Sequence, residues 1–514
     1  MESVKQQEAG TLLGQLSVGR IFVAIFAILA INIAHTIIKT RYFHPLSKFP
    51  GPFWASVSRL WITYHNLTGK EHEVLYDLHK KYGPVIRITP TMLMCSDPKM
   101  LPVIYHSHAD KADHYVTGSF GKTPSVFNIQ PHKVHAAARR KIAQPYAFSA
   151  IKPMETLVDV RIDEWTSKLE ANFAAGNKKF DFAAWATVSF FAYDVISELA
   201  FGKALGFVAK GYDIDNLIRS FHEGLPAFGF LCRLHPFTKW IKTTWIADKY
   251  MIPQPGDSTG IGNIMSFRDQ LIDERIAENK ANPNNDRRDL LQSFLKARDV
   301  KDGIHMDDLK AETLLVLLAG SDTTATEFQA VMIDILKNPK VYERLMAEID
   351  AAPLSRIPTY DEALEHCPYY IACVKEAMRL CPAAPNMFPR VVASGGLQLY
   401  GKFAPEGTEI TCNPYITHRN KEMYGEDAEE FRPERWLDNA EKVAEWEKHD
   451  FGFGFGSRKC LGQSIALMEL YKAPLQFFRH FRPRLVNEIN PSRYIVAGGV
   501  SRHTDLWLTI EKRA

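Results

Sequence analysis

The stretch DFGFGFGSRKCLG, Asp450 to Gly462, restricts the fold more than any other part of this chain. Phe451, Phe453 and Phe455 alternate with Gly452, Gly454 and Gly456, a period of two that ordinarily marks a strand. Glycine has no side chain to pack and is costly to order, so three of them make a poor strand. A loop pressed against a large body is the better reading, because bare backbone permits close approach. Beyond Gly462 the positions Ile465, Leu467, Met468, Leu470, Tyr471 and Leu475 follow a helical period. Cys460 therefore sits just before a helix, where unpaired N–H groups and the helix dipole favour a thiolate, and Arg458 and Lys459 add positive charge. A thiolate in such a place is a metal ligand or a nucleophile.

A net charge of +3 with 24% charged residues sets up no global basic field, so nucleic acid is not an expected partner. The seven cysteines (Cys95, Cys232, Cys367, Cys373, Cys381, Cys412 and Cys460) are odd in number and contain no C-x-x-C pair. That pattern opposes a disulfide framework and a structural zinc site, and it fits a reducing compartment.

From Ile21 to Ile38 the run IFVAIFAILAINIAHTII carries no formally charged side chain and reaches the length that spans a bilayer as a helix. It ends at Lys39, Arg41 and Tyr42 rather than at a small-residue cleavage site, which favours an anchor over a signal peptide. The positive-inside rule then places the rest of the chain in the cytosol. Asn32 and His35 are read as lying near the interface, since one helix offers no bundle interior to hide them. The proline-rich HPLSKFPGP (His44 to Pro52) cannot continue a helix and is read as a stiff spacer. The division expected is a lumenal tail over 1–20, a transmembrane helix over 21–38, a basic and proline-rich linker over 39–52, and one catalytic domain over 53–514. Asn66-Leu67-Thr68 should stay unmodified in the cytosol.

The body has no repeat at a fixed period. Helical periodicity covers Met154–Phe173, Phe267–Lys280, Asp308–Leu336 and Val341–Ile349, while strand-like runs are confined to Pro84–Cys95 and the region from Leu397 to Asn413. Residues 253–262 and 281–288 read as loops. The fold class expected is mainly α with small β-sheets.

Three further patterns carry chemistry. In LLAGSDTTATEF an apolar run meets Gly320, Ser321, Asp322, Thr323 and Thr324, residues that form helices poorly. Either the helix is distorted there and offers a hydroxyl and a carboxylate to a bound molecule, or SDTTATE is a helix cap. In KEAMRL, Glu376 and Arg379 are three apart on one helical face, where most such pairs are solvated surface features. Arg435 of FRPERW can bring a second guanidinium to the same carboxylate. In HAAARRK, His135 and Arg139 lie one turn apart beside Arg140 and Lys141, either as a solvated face or as a site for carboxylate or phosphate groups.

In this order, AGSDTT, ExxR, PERW and FGFGSRKCLG resemble the cytochrome P450 family of haem-thiolate monooxygenases, and the last fits the family's cysteine loop at every fixed position. The resemblance covers nearly the whole chain. It implies the cytochrome P450 fold and haem b, with Cys460 as axial ligand to the iron and backbone N–H groups near Leu461 and Gly462 tuning the sulfur. Phe453, Gly456 and Gly462 would shape the loop against the haem. His135, Arg139, Arg390 and Arg458 would hold the haem propionates, His135 standing where tryptophan is commoner. Asp322 and Thr323 would form the acid and alcohol pair that relays protons, Ala319 and Gly320 would leave room above the iron, and Glu376, Arg379 and Arg435 would form a structural triad.

The N-terminal segment resembles the microsomal, fungal type. That implies a monomer anchored in the endoplasmic reticulum membrane, supplied by NADPH-cytochrome P450 reductase with cytochrome b5 as a second donor. Lys133, Arg140, Lys141 and Lys459 are the candidate docking patch. HAAARRKIAQPYAFSAIKPME resembles the branch containing pisatin demethylases, with Tyr146 in place of phenylalanine. It implies a lipophilic substrate of secondary metabolism: a terpenoid, polyketide or alkaloid intermediate. The pocket is expected at Thr117–Phe127, Leu225–Leu231, Ala383–Phe388 and Ala497–His503. Two other functions stand beside this one: oxygen-free haem-thiolate isomerisation or dehydration, and non-catalytic haem binding. A membrane-anchored cysteine hydrolase is the reading without haem.

Overall fold

The computed structural model describes residues 18–513 except 119–122, 175, 177, 184–187, 251, 258–259, 284–286 and 301–302. Helix α1 (Val18–Ile38) runs on through a π turn, Lys39–Phe43, and is long and apolar enough to cross a membrane. Most of its side chains are exposed. Asn32 and Thr36 are exposed too. With Leu29, Ile33 and Ile37 they line an apolar groove of about 680 Å³ whose other wall is Trp54, Trp61, Tyr64 and their neighbours. Asn32 and Thr36 therefore face the domain, whereas His35 is exposed and does not line the groove; the Asn32 amide donates to the Ile28 carbonyl of its own helix.

The proline-rich segment is docked on the domain rather than holding it away. Leu46 and Phe49 are buried, the Pro50 carbonyl accepts from the Arg87 N–H at 2.7 Å, and a Cβ on Gly51 would strike the Arg87 carbonyl. Asn66 is buried as well, its Oδ1 against Gly229, so its amide is closed to modification by packing.

The body is mainly helical. Strands β1 (Val85–Arg87) and β2 (Met92–Cys95) pair antiparallel, and a sheet in the order β1-β2-β4-β3 is completed by β3 (Arg390–Val391) and β4 (Glu409–Thr411), with β2 and β4 parallel. Helix α2 is His132–Ile142, α3 is Val188–Phe201, α4 is Leu217–Arg233 and α5 is Met306–Leu336. Helix α6 (Pro368–Leu380) and helix α7 (Gln463–His480) flank the cysteine loop's side of the molecule in sequence, and a hairpin of β5 (Arg493–Ala497) and β6 (Val500–Thr504) follows.

Helix α5 packs against α3, α6, α7 and β6. Its buried residues are polar as well as apolar, Glu312, Asp322 and Glu327 among them. Trp165 anchors the core beneath it, with the rings of Phe191, Phe328 and Phe477 5.3 to 5.7 Å away. The helices expected from periodicity are present, at Glu155–Leu169, Gly260–Ala281, Met306–Leu336 and Pro339–Ala351, the second starting well before the expected Phe267. The loop read over 253–262 is shorter, because the helix already begins at Gly260. Of the loop over 281–288, residues 284–286 lie outside the described residues.

Candidate haem-thiolate site

In the cysteine loop, Gly454 and Gly456 have φ of +74° and +64°, which L side chains rarely adopt. A Cβ on Gly456 would lie 2.5 Å from the Tyr105 carbonyl. These glycines are thus demanded by the turn and by its seat on Tyr105, a reason different from contact with a ligand. Phe451 is buried against Tyr105 and Phe388. The Phe453 carbonyl accepts from the Cys460 N–H at 2.8 Å and so closes the loop on itself.

Helix α7 then starts at Gln463, and Cys460 lies just before it. The Cys460 side chain is exposed although protein surrounds it, so its sulfur borders open space within the fold. Burial pushes the thiol up, and the N–H groups of Gly462 and Gln463, with Arg139 and Lys459, oppose that rise. The tuning donors are Gly462 and Gln463 rather than Leu461.

Helix α5 runs unbroken through Gly320–Thr324, neither distorted nor capped there. The hydroxyls of Ser321, Thr323 and Thr324 each donate to the carbonyl four residues back, at 3.1, 2.8 and 3.0 Å, so they satisfy themselves without opening the helix. Ala319 is the one fully exposed residue between Leu309 and Ile335, and Thr323 is half-exposed one turn on. Gly320 points elsewhere: a Cβ there would lie 2.7 Å from Ile196 of α3. Its bareness lets two helices close together, and Ala319 alone of the pair gives onto open space. Asp322 is buried and hydrogen-bonded to His222 of α4 at 2.6 Å.

The four residues expected to bind propionates come together with a fifth that sequence reasoning missed. Arg458 donates to the carbonyls of Ile129 and Gln130, both at 2.6 Å, and Arg390 donates to the Tyr115 hydroxyl at 3.2 Å. Lys111 is buried, donates to the Phe127 carbonyl at 2.5 Å, and lies over the rings of Tyr115 and Phe127. Burial, then Arg458, Lys111, Arg139 and Arg390, hold the buried His135 down at about 3. Burial and then Arg390 lower Arg458 to about 10, and burial followed by Arg390, Arg458 and Arg139 sets Lys111 well below the usual lysine range. The neighbouring carboxylate, Asp110, is already bonded to the N–H and the ring of His132, both at 2.7 Å. Basic side chains gathered in a half-buried site, with no carboxylate to spare among the described residues there, fit the two acidic arms of a haem.

The Glu376–Arg379 pair is not a solvated surface feature. Glu376 is fully buried and accepts from Arg379 at 2.8 and 2.9 Å, from Arg435 at 2.7 Å and from the Trp436 indole at 2.9 Å. Burial pushes its carboxyl up, but hydrogen bonds and charge from Arg379, with Arg435, outweigh that and hold it below the usual range.

The pocket segments converge in part. A Cβ on Gly499 would strike Asn386, and one on Gly498 would lie 2.6 Å from the Leu225 carbonyl, so the β5–β6 hairpin meets both α4 and the 383–388 segment. Residues 119–122 of the first segment lie outside the described residues. Lys133, Arg140 and Lys141 are exposed on α2, and Lys459 is half-buried. Lys111 and His222 gave no signal in the sequence, since neither lies in a spaced motif.

A sulfur bordering internal open space, a helix that bares one alanine, and a cluster of basic side chains define a mostly helical haem-thiolate protein. The chain belongs to the cytochrome P450 family, whose family model matches residues 48–503. It is similar to quiannulatic acid synthase of Emericella variicolor, 35% identical over 96% of this chain and 95% of that protein. It is also similar to cytochrome P450 monooxygenase gsfF of Penicillium aethiopicum, 33% identical over 93% and 94%, and to cytochrome P450 monooxygenase pkfB of Emericella nidulans, 32% identical over 83% and 84%. None of these three bears the pisatin demethylase name. The protein is a P450 monooxygenase, and the cofactor of its family is a haem iron with a cysteine axial ligand.

Proposed function

We propose that this protein inserts one atom of O2 into a lipophilic intermediate of secondary metabolism, a terpenoid, polyketide or alkaloid, with Cys460 as the haem ligand. The observation that carries the reading is the exposed Cys460 sulfur held before α7 while every other described cysteine is more buried. When bound, the haem supplies the chemistry of the family, in which R–H, O2, two electrons and two protons give R–OH and water. Arg390, Arg458, His135, Arg139 and Lys111 hold its acidic arms, and Phe453, Gly456 and Gly462 shape the loop beneath it. Ala319 leaves room for O2, Thr323 holds a hydroxyl at the open face of α5, and Asp322 feeds protons toward it.

The electrons come from NADPH-cytochrome P450 reductase docking on Lys133, Arg140, Lys141 and Lys459, with cytochrome b5 as a second donor. Helix α1 anchors a monomer in the endoplasmic reticulum membrane with residues 53–514 in the cytosol. The substrate class rests on the company the chain keeps, since one relative is named for an acid it makes and others for monooxygenation. The test is the carbon monoxide difference spectrum of the dithionite-reduced protein, wild type and Cys460→Ala, followed by NADPH-driven turnover with a reductase against a panel of such compounds. A thiolate-type Soret band that vanishes in the variant is expected. Intact protein that takes up no haem would end this reading and return Cys460 to the nucleophile of the cysteine hydrolase reading.

A further inference from the structure

Of the four consecutive polar side chains of α5, Ser321 to Thr324, three fold back on carbonyls of their own helix. Asp322 does not: its Oδ2 lies 2.6 Å from Nε2 of His222 on α4, with the two side chains 7% and 9% exposed. Arg502 of β6 also faces this carboxylate, close enough to act on it by charge, though not in an ion pair. A hydrogen bond between two buried groups of which one is ionised is among the stronger single contacts a fold makes.

Helix α4 is built in two parts around this bond. Pro226 lies inside it, four residues after His222, so the His222 carbonyl lacks the N–H that would continue the helix ladder. Gly224 lies between them. The C-terminal part is fixed: Arg233 is fully buried and bonded to Glu71 at 2.7 and 2.9 Å and to Asn386 at 2.8 Å, and Gly229 abuts Gly498. The N-terminal part follows Asp215 and Asn216, both at positive φ, and is held at its start by Asp213 accepting from the N–H groups of Ile218 and Arg219. Between that cap and Pro226, His222 carries the polar tie to α5.

We propose that His222 is the positioning residue of Asp322, a latch that sets the relay carboxylate in place when the N-terminal half of α4 is seated against α5 and releases it when that half lifts. This rests on the monooxygenase reading, in which Asp322 serves proton delivery. His222 acts through Asp322. It ties the seating of that half of α4, which ends where the pocket segment 225–231 begins, to the readiness of the proton path, so that reduction of O2 proceeds with the helix seated.

The experiment uses the full-length holoprotein in detergent and compares wild type with His222→Phe, His222→Gln, Asp322→Ala and the double variant His222→Phe/Asp322→Ala. Amide hydrogen exchange over 217–224 should quicken about tenfold in His222→Phe and in Asp322→Ala, the size of one hydrogen bond to a charged group, and no further in the double variant. Exchange over 227–233 should not change, and His222→Gln, which keeps a donor, should stay near wild type. The second readout is NADPH oxidation with a reductase in H2O and in D2O. Its solvent isotope effect should rise in His222→Phe as in Asp322→Ala, because proton delivery has become slower than the steps around it.

Exchange that does not move in either single variant, or that adds up in the double, overturns the latch. An isotope effect that rises in Asp322→Ala but stays at the wild-type value in His222→Phe also overturns it, since His222 would then hold the helix without positioning the acid. If His222→Phe fails to bind haem, His222→Gln and Asp322→Ala decide the question. Failure of the monooxygenase reading shows separately, as a wild-type protein without the thiolate-type carbon monoxide spectrum, and leaves the exchange result to stand by itself.

Discussion

Two groups of charged and basic side chains within the fold are built on opposite plans. Around Glu376, two guanidiniums and an indole N–H converge on one carboxylate, and nearly every polar atom is met by another atom of the chain. Around Arg458 lie Arg390, Arg139, His135 and Lys111, and the basic neighbours there lower the protonation of Arg458, Lys111 and His135. Buried charges cost several kcal/mol each unless they are compensated, so a group that the chain compensates is part of the scaffold. A group that the chain leaves positive waits for an anion from outside. The difference separates architecture from binding site without reference to any motif.

The largest break in this contrast should come from Glu376→Ala. It strands two buried guanidiniums, and a loss of about 3–5 kcal/mol is expected from removing one partner of a buried network. Thermal denaturation should show protein that is unfolded or short of haem. Glu312 on α5 is a third case, a buried carboxyl that accepts from the Val126 N–H and has no cation beside it. Burial pushes it from 4.5 up to about 7. Because the fold then binds the proton more tightly than the unfolded chain, the contribution of Glu312 is most favourable below pH 4.5 and is lost as pH rises toward 7. Relative to wild type, Glu312→Gln should therefore gain up to about 3 kcal/mol across that window, read from denaturant unfolding at a series of pH values.

Arg458→Ala sharpens the comparison from the other side. Removing a cation from a cluster that repels itself should leave the apoprotein as stable as before or more so. Haem affinity should fall about 10- to 100-fold, the size of a charge-assisted hydrogen bond, read as haem per protein on titration. The smallest effect is expected at the surface. Charge reversal of Lys133, Arg140 and Lys141 should change stability by about 0.5 kcal/mol or less, while slowing reduction by the reductase most at low ionic strength.

The sequence carried the cysteine loop, the start of the helix after it, the long α5 and the pairing of Glu376 with Arg379, because each depends on spacing along one element. It misjudged what each contact was for. Gly320 faces Ile196, not the open side of α5, and Gly456 is bare because Tyr105 lies against it. The Ser–Asp–Thr–Thr run neither bends nor caps its helix, since hydroxyls can return to their own backbone. The proline-rich segment is packed on β1, a contact between parts of the chain far apart in sequence. Lys111 and His222 were invisible for the same reason: each matters through a neighbour that lies 100 residues away or more in the case of His222, and on three other elements in the case of Lys111.

By itself the sequence determined a membrane-competent apolar helix, a mainly helical body and a cysteine poised before a helix, because periodicity and composition fix local structure. Only the tertiary structure decided which charges are compensated, which glycine faces a neighbour, and which histidine holds Asp322. Those depend on what surrounds a side chain from every direction, because burial and neighbouring charges change the strength of each charge there.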